Sequence, residues 1–156
     1  MQLSHLIKFN TVYIDSVSQS KTAVLLKISQ LLSQQHCELD SQELFDAYWK
    51  RECLGSTAIG QGITIPHIRS AKLAKPSAAV IKLLNPVDFG AEDKQPVDLV
   101  IGIVVPQTQV SQHLKILATI VKRFSQPSFR DACRRVGDKD ALYNLLIREE
   151  REEELV

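Results

Sequence analysis

The sequence predicts an α/β or α+β domain in which a sheet is covered by helices, and three observations carry that prediction. The run Val97 to Val105 is apolar except for Asp98 and Gly102, as in a strand buried on both faces. Helix-period stripes lie on either side of it: Val24, Leu25, Ile28, Leu31 and Leu32 before, and Val110, Leu114, Leu117, Val121 and Phe124 after. The chain has 156 residues, 44% hydrophobic, with a net charge of +1, which suits one domain with a substantial core and excludes general disorder.

A short strand is expected at Thr11–Ile14, followed by the helix Lys21 to Gln34. Asp40 and Glu43 stand at the spacing of an acidic capping box. They should open a second helix through Leu44, Tyr48 and Trp49 that stops near Gly55. Residues 55–67 carry three glycines and the β-like Ile63-Thr64-Ile65, closed by Pro66. Ser77 to Leu84 reads as a strand ended by Asn85-Pro86, and Asp93 to Pro96 as a turn into the apolar strand, which Pro106 stops. A helix from Val110 to Phe124 follows, then two shorter ones through Phe129 and Cys133 and through Leu142, Leu145 and Leu146. The acidic tail 149–156 places carboxylates at a helix C-terminus, which the macrodipole disfavours, so it should fray.

Composition narrows the function classes. No apolar run approaches the ~20 residues of a membrane-spanning helix, and the N-terminus lacks the pattern of a secretory signal. Three dispersed cysteines without C-x-x-C argue for a reducing cytoplasm rather than a disulfide framework. Basic residues are scattered, so no nucleic-acid face is expected. Gly55-x-x-x-x-Gly60 begins like a phosphate-binding loop, but Gln61-Gly62 replaces the required Lys and Ser/Thr. No metal-ligand spacing and no G-x-S-x-G elbow occur, so neither a metal site nor a serine hydrolase is expected.

His67 is the residue that carries chemistry in this reading. It follows Pro66 at the end of a short strand, where a sheet can hold a side chain still while a loop exposes it. Histidine ionises near neutrality, so its neutral ring serves as nucleophile or base. Arg69 and Arg51 each offer a guanidinium for an anionic group such as a phosphoryl. His113 opens the helix after the buried strand and would meet His67 if the strand ends converge. Each also has a plain structural alternative: a surface histidine, a helix-terminal cation, or glycines serving only a tight loop. The residues by themselves reach a His-centred anion site and leave its chemistry open.

The run Arg51-Glu52-Cys53-Leu54-Gly55-Ser56-Thr57 through Gly62-Ile63-Thr64-Ile65-Pro66-His67 resembles the active-site signature of IIA domains of the phosphoenolpyruvate-dependent phosphotransferase system. The likeness is to the fructose/mannitol class, nearest the nitrogen-regulatory IIA proteins. Gln95-Pro96-Val97-Asp98-Leu99 and Gln112-His113-Leu114-x-x-Leu117 resemble its later motifs. The resemblance implies a single IIA type-2 domain over 1–148, built on a mixed five-stranded sheet with helices on both sides. It further implies that His67 accepts a phosphoryl group from an HPr-type phosphocarrier as a tele-phosphohistidine, though no residue selects the nitrogen. His113 would be the second active-site histidine and Arg51 the group stabilising phosphoryl charge, with no cofactor or metal. The protein would be cytoplasmic and regulate partners through its phosphorylation state. Alternatives are a sugar-specific IIA relaying phosphate to a IIB component, or a binding module that is not phosphorylated. Two departures from the family pattern are Thr64, where Ala is usual, and Ile68, where a small residue is usual. Ile68 is expected to narrow the approach to His67.

Overall fold

The computed structural model describes residues 2–108 and 110–154. The elements are α1 (Leu3–Leu6), β1 (Val12–Asp15), α2 (Lys21–Gln35), α3 (Ser41–Leu54), β2 (Ala58–Gly60), β3 (Ile63–Thr64), β4 (His67–Ser70), β5 (Ser77–Val87), β6 (Val97–Pro106), α4 (Val110–Phe124), α5 (Pro127–Arg135) and α6 (Lys139–Glu154). No side chain of the acidic tail 149–156 is among those described, while its backbone is helical as far as Glu154.

The sheet is mixed, in the order β1-β5-β6-β3-β2, with β4 also on β6. β1 runs parallel to β5, β5 antiparallel to β6, and both β3 and β4 parallel to β6. Six strands stand where five were expected, and the register explains the difference. Ile63 and Thr64 pair with Leu99 and Val100, and His67 pairs with Ile103 in the same register. β3 and β4 are therefore one lane interrupted at Ile65-Pro66, because Pro66 has no N–H to give a ladder.

Alternation along β6 divides the core. Leu99, Ile101, Ile103 and Val105 pack with Ile116, Ile120 and Phe124 of α4 and with residues of α1, α5 and α6. Val100 and Val104 face the other way, onto Val24, Leu25 and Ile28 of α2 and Tyr48 of α3. The expected burial of this strand on both faces is what the structure has. Helix α2 begins where Ser20 accepts the Ala23 N–H, and α3 where Asp40 accepts that of Glu43, as its spacing predicted.

Three strand readings needed correction. β5 continues through Asn85-Pro86 to Val87 because the pairing jumps from Lys82↔Leu99 to Val87↔Val97, and the irregularity accommodates the proline. The glycine loop is a hairpin: Gln61 (φ 59°) and Gly62 (φ 79°) form a two-residue turn between β2 and β3, with both residues left-handed. Residues 67–70, not predicted as a strand, form β4. A side chain at Gly62 would also stand 2.6 Å from Arg134 Nη2 and 2.9 Å from Asp98 Oδ1, so position 62 favours glycine.

Gly102 sets how closely α2 approaches the sheet, since a Cβ there would lie 2.4 Å from Cγ2 of Ile28. Gly102→Ala should therefore lower stability by about 1–3 kcal/mol in urea titration. Adding Ile28→Ala should cost less in that background than in the wild type, because it removes the clash.

Candidate active site

Pro66 shapes the site by interrupting the ladder. Its carbonyl accepts the Ile103 N–H at 2.9 Å, while the Ile65 N–H turns back to the Thr57 carbonyl at 3.1 Å. Tyr48, buried in α3, donates its hydroxyl to the Ile103 carbonyl at 2.8 Å, so the residue facing His67 across the ladder is held from both sides. Burial raises the Tyr48 phenol well above its usual value and keeps it a donor.

His67 then folds back on its own strand. Its Nδ1 lies 2.7 Å from the Ile65 carbonyl oxygen. A carbonyl only accepts, so Nδ1 carries the proton and Nε2 keeps its lone pair. The ring is only partly buried. Sequence order gave no hint of this contact, because it depends on the backbone bend at Pro66.

The structure brings His113 to His67. From the first turn of α4 its ring stands 5.5 Å from that of His67, centroid to centroid, at 82°. His113 is 8% exposed, and its Nδ1 is buried without a hydrogen-bond partner among the described residues. Burial first, then the charges of His67 and Arg69, hold its imidazole below the ordinary value of 6.5. His113 is therefore a neutral ring near pH 7.

The two arginines separate. Arg69 follows His67 by two positions on β4, so strand alternation puts both on one side, and its charge is felt at His113. Arg51 ends α3 with Nη1 on the Gly55 carbonyl at 2.9 Å, where it closes the helix. Arg69 thus contributes positive charge near His113.

Ile68 does not obstruct the site. It points opposite to His67 and packs with Tyr48, Ala79 and Val104, only 8% exposed. The expectation that its branched side chain narrows the approach to His67 is overturned by this alternation.

A buried polar network went unnoticed in the sequence. Glu52 shares the buried stripe of α3 with Leu44 and Tyr48, a carboxylate at the third of three positions spaced by four. That placement was the available signal, since a buried carboxylate needs partners. Thr57 supplies two, its N–H to one oxygen at 3.1 Å and its hydroxyl to the other at 2.7 Å. Thr64 stands 2.9 Å from the Thr57 hydroxyl and must be the donor, because the Thr57 proton is already committed. Lys21 closes the chain 3.8 Å from Glu52. Thr64, the departure from the family's usual Ala, thus ties β3 to the end of α3.

Two outcomes follow from these contacts. Thr57→Val removes a hydroxyl from a buried carboxylate and should cost about 1–3 kcal/mol by urea denaturation, with Thr64→Ala costing less. Because the native state disfavours protonated His113, its contribution to stability is complete above pH 6.5 and is lost as pH falls below that value. His113→Gln should lose less stability than wild type between pH 7.5 and 5.5.

Known proteins share this fold and much of this sequence. The family model described as "Phosphoenolpyruvate-dependent sugar phosphotransferase system, EIIA 2" matches residues 5–149. A nitrogen regulatory protein of Pseudomonas aeruginosa is 38% identical over 128 residues, covering 82% of this chain and 83% of that protein. A fructose-specific EIIABC component of Mycoplasma pneumoniae is 31% identical over 128 residues, 82% of this chain but 18% of that protein. The crystal structure of nitrogen regulatory protein IIA-Ntr from Neisseria meningitidis superposes with a TM-score of 0.83 at 30% identity, covering 90% of this chain and 96% of that one. With the family model matching residues 5–149 and a relative 38% identical over most of its length, the chain belongs to the EIIA type-2 family of the phosphoenolpyruvate-dependent sugar phosphotransferase system.

Proposed function

We propose that this chain accepts a phosphoryl group on Nε2 of His67 from an HPr-type phosphocarrier and regulates partner proteins through that modification. The observation that carries this reading is the bond from His67 Nδ1–H to the Ile65 carbonyl, which leaves Nε2 as the nucleophile beside His113. In the transfer, the Nε2 lone pair forms the new N–P bond as the donor's N–P bond breaks. The electron pair of the broken bond returns to the donor ring. The Ile65 carbonyl stabilises the positive charge the His67 ring acquires.

His113 supports the step as a neutral ring. With its Nδ1 buried, Nε2 is the nitrogen left to serve the phosphoryl oxygens. Arg69 contributes positive charge on the same side of β4, and Arg51 acts at the adjoining loop. Phosphorylation adds about −2 charge to this face, enough to change which partners dock there.

The regulatory role draws support from relatives named nitrogen regulatory proteins, which match most of this chain. Relay to a IIB component is the second reading, favoured by the likeness to a fructose-specific EIIABC component. Loss of the Ile68 obstruction removes the main reason to regard the chain as a binding module that is never phosphorylated.

Intact-mass analysis at alkaline pH, after incubation with phosphoenolpyruvate, enzyme I and a phosphocarrier, tests the assignment. Wild type should gain one phosphoryl group and His67→Ala none, while His113→Ala should gain it at least tenfold more slowly. No added mass with any competent donor, or an equal gain in His67→Ala, would overturn the proposal. Sugar-dependent loss of the group in the presence of IIB and IIC components would select the relay.

A further inference from the structure

A cavity of about 580 Å³ lies between α1 with the residues after it, the end of α2 and the turn at 73–76, and neither His67 nor His113 lines it. Its size is in the range that holds small molecules. Lys8 and Lys75 line it, and neither has a carboxylate partner among the described residues. Among its described lining residues Glu38 alone is acidic, and Glu38 stands 3.6 Å from Nδ1 of His36. The His36 Nε2 is fixed in turn at 2.8 Å from the hydroxyl of Ser77, which is 2% exposed.

Glu38 stands beside the imidazole, and around this concavity the two ammonium groups outnumber it among the described residues. Cations converging on a hollow create a positive potential that attracts an anion, and walls of low dielectric focus it. The floor is apolar, with Leu6 2% and Leu73 8% exposed. Polar groups that fix a headgroup above an apolar floor are the usual composition of a small-molecule site.

We infer that this cavity binds a small organic anion, one carboxylate or phosphate group on a short apolar body, with Lys8 and Lys75 on the anionic group and Leu6 and Leu73 against the apolar part. The contact between Ser77 and the half-buried His36 imidazole forms part of the wall. The turn at 73–76 leaves β4, and Ser77 pairs with Val104, whose other neighbour is Ile68, so an occupant touches the segment joining β4 to β5. Binding here requires no phosphorylation of His67 and stands apart from that assignment.

The test is an amide ¹H–¹⁵N correlation titration of the full, unphosphorylated chain with butanoate and, separately, butyl phosphate, against sodium chloride at matched ionic strength. Saturable shifts should appear at His36, Lys75 and Ser77 with at least one of the two anions, and which anion binds identifies the headgroup. In Lys8→Gln/Lys75→Gln the affinity should fall at least fivefold with the rest of the spectrum unchanged. Both lysines are exposed, so the fold should survive. Shifts that rise linearly or match those in sodium chloride, or an affinity unchanged in the double variant, would overturn the inference.

Discussion

The hydrogen bond that the Ile65 carbonyl accepts from His67 is the constraint on which the proposed chemistry depends. An imidazole has two nitrogens that exchange roles freely in water, and a nucleophile needs one of them reserved. Here the backbone makes the choice. The Ile65 carbonyl reaches His67 Nδ1 only because the chain bends at Pro66, and the bend persists because the lane resumes in register on β6. Ile103 holds that resumption, with its N–H on Pro66 and its carbonyl on the Tyr48 hydroxyl. Deep burial of β6 between two helical layers makes the whole arrangement stiff.

Around that fixed point the electrostatics are arranged with little formal charge in direct contact. His113 is held below the ordinary imidazole value by burial first and then by nearby positive charge, so it stands as a neutral ring beside His67. Arg69 supplies the positive field from the same strand. The Glu52, Thr57 and Thr64 chain works from the opposite end of the lane, fixing β3 to the helix whose Tyr48 steadies Ile103. Active-site geometry and core packing are continuous here.

Much of the fold was legible from periodicity. Val97 to Val105, the stripes of α2 and α4, and the Asp40 cap all reported their own environments, because burial on one or both faces writes itself into composition. His67 was legible for a different reason, as a histidine immediately after a proline at a strand end. What the sequence concealed depends on neighbours distant along the chain. β4 is four residues long and exists by pairing with β6, and the proline inside β5 is tolerated only because the ladder skips there. Ile68 looked like an obstruction until alternation turned it into the core. The bond from Arg51 to the Gly55 carbonyl likewise depends on how the loop after α3 turns.

The central claim is that the unphosphorylated protein already holds His67 with its proton on Nδ1. Long-range ¹H–¹⁵N correlation of the imidazole rings at pH 8 reads this directly, with His67→Ala identifying the resonance. The account predicts a protonated, pyrrole-like Nδ1 and a pyridine-like Nε2 for His67. A pyridine-like Nδ1 with the proton on Nε2, or fast averaging of the two, would contradict it.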